Sequence, residues 1–333
     1  MKRLSAVAAC LTACLSVATA SRAEMGEIAV GHEYGMAYLP YLVMEHERLV
    51  EKHAAKLGLA APKVTWNTFG GSGFMQDALL GGRIQFASSG VPWFLTLWSK
   101  TGGTVKSLGA LCAMPLYLNT RNPRLRTIHD YTDKDRIALP AIKSSTQAMV
   151  LQMAAAQAFG RDQVHKLDTL TVALNHADGM AVLLAGTNEI ESHLTSPPFQ
   201  EIELKDPRIH KVLDSYDVMG GPASFIIGST TIKFHDENPK TYAAFSAALS
   251  EAQEFINAHK EEASRIYVEM SGDKGLSRGD VLALLDDPQI RFTTTPQNVT
   301  KWASFMHEIG AIRSAPLSWQ DLFFPERHGE PGS

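Results

Sequence analysis

Four short loops hold the side chains best suited to binding chemistry. They are Glu33-Tyr34-Gly35-Met36-Ala37-Tyr38-Leu39-Pro40, Phe69-Gly70-Gly71-Ser72-Gly73, Ser88-Ser89-Gly90-Val91-Pro92 and Pro140-Ala141-Ile142-Lys143-Ser144-Ser145-Thr146-Gln147. Each follows a strand-like run and opens a helix-like one. A helix N-terminus presents unpaired N–H groups and the positive end of its dipole. Glycine lets a ligand approach that backbone, and Ser or Thr adds a hydroxyl donor. Any single such hydroxyl is most often an ordinary helix cap. Four of them at successive strand ends point to an anion site, because open α/β sheets bind ligands at those ends. The candidate contacts are Tyr34, Gly71, Ser72, Ser89, Gly90, Ser144, Ser145 and Thr146. His193 and Ser196 join them, since they flank the end of a later strand before Pro197-Pro198. His193 has a packing role as its alternative.

Other chemistries find less support. The Gly70-Gly71-Ser72-Gly73 run lacks the Gly-Lys-Ser/Thr of a phosphate loop and the third spaced glycine of a dinucleotide fingerprint. The 12 histidines are scattered; His46 and His53 sit seven apart, too far for one ion, and no His-Glu-x-x-His occurs. No metal and no cofactor is expected. No arginine falls in the four loops, so no bidentate carboxylate clamp is visible. Tyr34, Tyr38 and Phe199 would form an aromatic wall, which favours an organic ligand over nitrate. Cys112, in the apolar run Leu108–Ala113, reads as a small core residue.

The elements that must position these loops alternate. Strands are predicted over 27–31, 63–69, 84–88 and 105–112, with helices over 40–56, 73–80 and 92–100 between them. The pattern restarts after Met114-Pro115: strand 136–139, helix 145–159 capped by Gly160, strand 170–174, helix 177–184, strand 189–194. One more strand, 224–228, precedes helices over 239–259, 261–270, 278–285 and 298–309. This alternation predicts an α/β fold with parallel strands and helical crossovers.

Composition agrees with a globular chain. The 333 residues are 45% hydrophobic and 20% charged, with a formal net charge of -4. No basic run suits a nucleic-acid backbone, so no nucleic acid is expected as a partner. Residues 1–23 read as a secretory signal peptide: Lys2 and Arg3, an uncharged core to Ala20, then small residues at Ser21 and Ala23. Cleavage there removes Lys2, Arg3 and Arg22, making the remainder more acidic. It also removes Cys10 and Cys14, leaving Cys112 with no disulfide partner. Leu11-Thr12-Ala13-Cys14 offers an alternative, lipid anchoring through Cys14.

Several stretches carry a resemblance: Val30-Gly31 with Tyr38-Leu39-Pro40-Tyr41, the Phe69–Gly73 loop, Ala78-Leu79-Leu80-Gly81-Gly82-Arg83-Ile84-Gln85-Phe86-Ala87, and Val182-Leu183-Leu184-Ala185-Gly186-Thr187-Asn188-Glu189-Ile190-Glu191. In order and spacing they resemble the nitrate/taurine/sulfonate class of ABC-transporter substrate-binding proteins, across residues 26 to 270. Usual family forms carry Asp where Gln85 and Glu189 or Glu191 stand. The resemblance implies a two-lobed, type II periplasmic-binding-protein fold. Lobe 1 would comprise 24–114 and 222–333, and lobe 2 115–221, with hinge crossings near 113–117 and 218–222. It implies a periplasmic monomer with no enzymatic activity. Such a protein would capture a small organic anion, sulfonate- or carboxylate-like, and deliver it to a permease with its ATPase. A neutral pyrimidine ligand is the alternative. A hydrolase on the same fold is a further one, which would need Cys112 or a histidine cluster at the cleft.

Overall fold

The computed structural model describes residues 24–187, 189–272 and 275–333. The expected signal peptide, its cleavage site and the Cys14 anchor lie outside the described residues. Among the described residues ten strands build two five-stranded sheets. The first joins β1 (Glu27–His32), β2 (Lys63–Thr68), β3 (Phe86–Gly90) and β4 (Val105–Ala113) to the last strand, Ser224–Thr231. The second contains β5 (Tyr117–Thr120), β6 (Ile137–Leu139), β7 (Thr171–Ala173), β8 (Ser192–Thr195) and β9 (His210–Asp214). With Ser224–Thr231 as β10, the orders are β2-β1-β3-β10-β4 and β7-β6-β8-β5-β9.

Helices fill the connections. They are α1 (Leu39–His46), α2 (Leu49–Lys56), α3 (Ser72–Leu80), α4 (Val91–Lys100), α5 (Thr146–Phe159), α6 (His176–Ala185), α7 (Phe199–Leu204) and α8 (Ser215–Met219), then α9 (Ile232–Glu237), α10 (Pro239–Ala258), α11 (Lys260–Met270), α12 (Arg278–Asp286) and α13 (Val299–Glu308). The core of the first sheet stacks Phe86 on Phe245 of α10, ring centroids 3.7 Å apart, with Tyr41 edge-on to Phe245. Such aromatic pairs add about 0.5–1.5 kcal/mol beyond the area they bury. Among the described residues no helix is long and apolar enough to cross a membrane.

The sheets are mixed, not wholly parallel. β1 runs parallel to β2 and β3, and β6 parallel to β7 and β8. β10 runs antiparallel to β3 and β4, and β5 antiparallel to β8 and β9. The cause is topological. The chain leaves the first sheet at the C-terminal end of β4 and enters the second as β5. It leaves again after β9 and re-enters as β10. A strand arriving through such a crossing starts at the facing end and must run opposite to its neighbours. As a result the C-terminal ends of β1 to β4 face those of β6 to β9, and a cleft lies between.

The two crossings, 114–116 and 215–223, are bound to each other. Leu116 N–H donates to Ser215 Oγ at 2.8 Å, and Ser215 N–H donates to Leu116 O at 2.9 Å. Gln200 of α7, fully buried, accepts from Tyr117 N–H at 3.0 Å and donates to Pro115 O at 3.2 Å. Unpaired, these backbone groups would cost about 1–3 kcal/mol each.

Two local expectations need correction. The single helix over 40–56 is two, broken at Arg48, whose φ of 54° is left-handed. The turn redirects α2 so that Leu49, Val50 and Ala54 are buried. The strands β5 and β9 and the helices α7, α8 and α9 went unpredicted. Tyr-Leu-Asn-Thr of β5 has no apolar alternation, and Asn119 is fully buried because Gln200 O and Glu203 accept its amide.

Glu201 of α7 supplies a measurable consequence. Burial pushes its carboxyl up to about 7; Gln200 donates to it, and Asp287 and Glu203 add repulsion. An acid with a raised folded-state value contributes stability below about 4.5 that is lost as pH rises through about 7. Glu201→Gln should therefore raise the melting temperature at pH 8 and leave it nearly unchanged at pH 4.5. Equal shifts at both pH values, read by differential scanning fluorimetry, would count against this account.

Candidate functional site

Lobe 1 brings three strand ends to the cleft. After β1, Glu33 is partly buried and accepts from Ser72 Oγ at 2.5 Å. Burial raises the Glu33 carboxyl, and the Ser72 hydroxyl opposes that rise. Tyr34 stands 67% exposed at the loop, whereas Tyr38 is buried and so does not join an aromatic wall. Gly71 caps α3 with extended backbone and open space around its Cα. Ser72 is nearly buried as the first residue of α3. At the third strand end Ser89 and Gly90 are buried, and Gly90 caps α4 ahead of Pro92. Ser88, one residue earlier, is occupied structurally: its hydroxyl donates to Gly31 O at 2.9 Å.

Lobe 2 supplies three more ends. After β6 the chain turns through Lys143, left-handed at φ 63°. Ser144 Oγ donates to Ile142 O at 3.3 Å. Ser145 is a true cap: its hydroxyl donates to Ala141 O at 2.8 Å and accepts from Ala148 N–H at 3.1 Å. The proton of that hydroxyl is therefore used by the loop before α5, and one of its lone pairs by the first turn of the helix. Thr146, at the start of α5, is buried against lobe 1. Ser196 is buried, and its carbonyl accepts from Phe199 N–H at 3.0 Å.

The third lobe 2 end was missed from sequence. His176 opens α6 after the Asn175 cap. Its Nδ1 lies 2.8 Å from Thr195 Oγ1, and Gln147 Nε2 lies 3.4 Å from its Nε2. The Gln147 amide donating to Nε2 leaves the proton on Nδ1, which donates to Thr195. Burial and then His193 hold this imidazole down to about 3, so it is neutral near pH 7. Phe199 stacks on it at 5.4 Å between centroids. The strand-then-helix signal was present at Leu174-Asn175-His176, but without the Gly and Ser that marked the other loops.

His193 is not brought to the cleft. It is 0% exposed, and its Nδ1 lies 2.5 Å from Glu203 Oε1. Asn119 Nδ2 donates to the other Glu203 oxygen at 2.9 Å. The ring lies under α6, where a Cβ on Gly179 would fall 2.6 Å from Nε2. Strand alternation aims Ser192 and Leu194 the other way, so His193 and Asn119 face the helices that cover the sheet.

Loops of the two lobes meet at Gly90 with Thr146 and at Gly35 with Pro197 and Phe199. A Cβ added to Gly90 would lie 2.2 Å from Thr146 Oγ1. One added to Gly35 would lie 3.8 Å from Pro197 O and 3.9 Å from the Phe199 ring. Among the described residues, no Lys or Arg forms an ion pair with any of these loop residues, and no group of three or more His, Cys, Asp or Glu could hold a metal ion. The loops that end these strands carry backbone N–H groups, hydroxyls, the Glu33 acid, the His176 ring and Lys143.

This is the architecture of the periplasmic-binding-protein fold: two α/β lobes, two crossings, and facing strand ends. Solved structures share it. The alkanesulfonate-binding protein SsuA from Xanthomonas axonopodis pv. citri, bound to MOPS, is 17% identical, with a TM-score of 0.66 over 88% of this chain and 96% of that one. The periplasmic aliphatic sulphonate binding protein SsuA from Escherichia coli is 18% identical, with a TM-score of 0.65 over 89% and 98%. The periplasmic nitrate-binding protein NrtA from Synechocystis PCC 6803 is 18% identical, with a TM-score of 0.61 over 79% and 70%. No protein-family model matches the chain, and no curated protein matches its sequence.

The Gly90–Thr146 contact makes a sharp test. Gly90 has φ -56°, so alanine fits the backbone there and the clash is with the other lobe alone. Gly90→Ala should weaken binding of a cleft ligand about tenfold or more, a loss near 1.4 kcal/mol. Calorimetry showing unchanged affinity in Gly90→Ala would mean that this contact does not form when ligand binds.

Proposed function

We propose that this chain is the exported solute-binding protein of an ABC importer. It captures a small organic anion between its lobes and presents it, as a periplasmic monomer, to a permease with its ATPase. The observation that carries this reading is the convergence of helix N-termini from both lobes, α4 against α5, on a cleft framed by two hydrogen-bonded crossings. Each N-terminus contributes about half a positive charge, so an anion held between them attracts both lobes. The sulfonate- and nitrate-binding proteins of the same fold support it. The lobes would divide at 114/115 and 221/222. The proposed contacts are Tyr34, Gly71, Ser72, Ser89, Gly90, Ser144, Thr146 and Ser196, with His176 and Phe199 added.

A non-catalytic role has its own support. Cys112 lies inside β4 with no exposure, and burial pushes its thiol up to about 12. A thiol so placed carries negligible thiolate at neutral pH, and thiolate is the nucleophile.

A thermal-shift screen of sulfonates, aromatic carboxylates, nitrate and pyrimidines tests the reading. A ligand at 100 times its Kd adds ~2.7 kcal/mol, and small-angle scattering should then show compaction. Stabilisation by pyrimidines alone would replace the anion with a neutral ligand. Turnover of any stabilising compound, lost in Cys112→Ser, would replace binding with catalysis.

A further inference from the structure

We propose that the α7–α12 boundary beside the crossings is a pH-sensitive brake on lobe closure, in which ionisation of Glu201 sets a like charge against Asp287 and drives the lobes apart. The inference needs only the two-lobed fold, not the identity of the ligand. Glu201 follows Gln200 in α7, and the Gln200 amide ties the first crossing through Pro115 O and Tyr117 N–H. The same amide donates to Glu201 Oε1 at 2.8 Å. The other oxygen, Oε2, is buried, and among the described residues it has no hydrogen-bond partner. Asp287 caps the C-terminal end of α12, on the chain beyond the second crossing. Burial, then Asp214, Glu201, Asp287 and Asp217, keep the Tyr117 phenol protonated. Acids from β9, α7, α12 and α8 therefore crowd around one ring of β5.

The cations nearby are engaged elsewhere. Lys205 of α7 pairs with Asp280 of α12, and Lys211 holds Asp214 at 2.9 Å while lying over the Tyr117 ring. Arg291 gives its Nε to Pro288 O at 3.1 Å. Glu203, also on α7, is met by His193 and Asn119. An ionised carboxylate with a buried, unpartnered oxygen is costly, and a like charge beside it adds to the cost. The neutral acid avoids both: burial, with repulsion from Asp287 and Glu203, holds Glu201 up to about 7 against the Gln200 donation. In this structure the loops of the two lobes meet at the cleft while Lys205 reaches Asp280, so the raised value belongs to the closed arrangement. Parting α7 from α12 exposes Glu201 and returns it towards its ordinary 4.5. Closure is thus favoured most below about 4.5, and that advantage is lost as pH rises to about 7. Each unit between the two values is about a tenfold change in the closed-to-open ratio.

Single-molecule Förster transfer on the ligand-free mature chain tests this. Dyes go on Phe74→Cys in α3 and Ile142→Cys after β6, both exposed and on opposite lobes, while buried Cys112 stays unlabelled. From pH 5 to pH 8 the closed-to-open ratio should fall about tenfold or more with Glu201 and Asp287 in place. Glu201→Gln should hold its pH 5 ratio at pH 8 to within about threefold. Asp287→Asn, which keeps an acceptor for Gln289 N–H, should show a smaller fall than the chain with both acids. A ratio that does not move with pH when both acids are present overturns the proposal. So does a fall that survives Glu201→Gln, or one of full size in Asp287→Asn. No ligand is added, so each of these results leaves anion capture standing.

Discussion

The reciprocal pair between Leu116 and Ser215 is the constraint from which the rest follows. Two backbone segments that cross between sheets would otherwise leave polar groups unpaired in a buried place. By bonding to each other they become one ribbon, and Gln200 ties that ribbon to α7. A ribbon permits rotation about itself but resists sliding. The crossings also dictate strand direction, since β5 and β10 must begin at the facing ends. Every parallel strand then delivers its C-terminal loop to the cleft. The site is a consequence of how the chain passes twice between the sheets.

What gathers there is polar but almost uncharged. Ser, Thr and Gly residues from both lobes meet through the Gly90–Thr146 contact, and His176 is held neutral. A site of this kind relies on dipoles fixed by the fold, which cost no reorganisation when a ligand enters. Its two lobes make different offers. Lobe 2 provides helix N-termini and no acid at its loops. Lobe 1 provides the N-termini of α3 and α4, and the first hydroxyl of α3 is already given to Glu33.

The exposed ion pairs that span the lobes contribute little to this arrangement. Lys205–Asp280 and Arg161–Glu308 join α7 to α12 and the end of α5 to α13. With both partners open to solvent, each is worth about 0–1 kcal/mol. Pairs of that size can break and reform as lobes move, unlike the buried Leu116–Ser215 bonds.

Much was legible before any coordinates. Loops of Gly, Ser and Thr between strand-like and helix-like runs revealed an α/β fold and a string of strand ends. That information is local: a residue's backbone freedom and its hydroxyl are its own properties. Cys112 as core filler was legible for the same reason, from its apolar neighbours. Other features depend on partners far along the chain. β5 and β9 form because neighbouring strands offer them hydrogen bonds, not because their residues alternate. Ser145 and Ser72 look alike in sequence, yet one serves its own helix and the other an acid at Glu33. His193 ends a strand as the ligand-facing residue would, but its phase on β8 turns it to Glu203 beneath α6. Sequence by itself determined which loops lie at strand ends; tertiary structure decided which side chains face the cleft, because strand phase and pairing partners arise only once distant segments have packed.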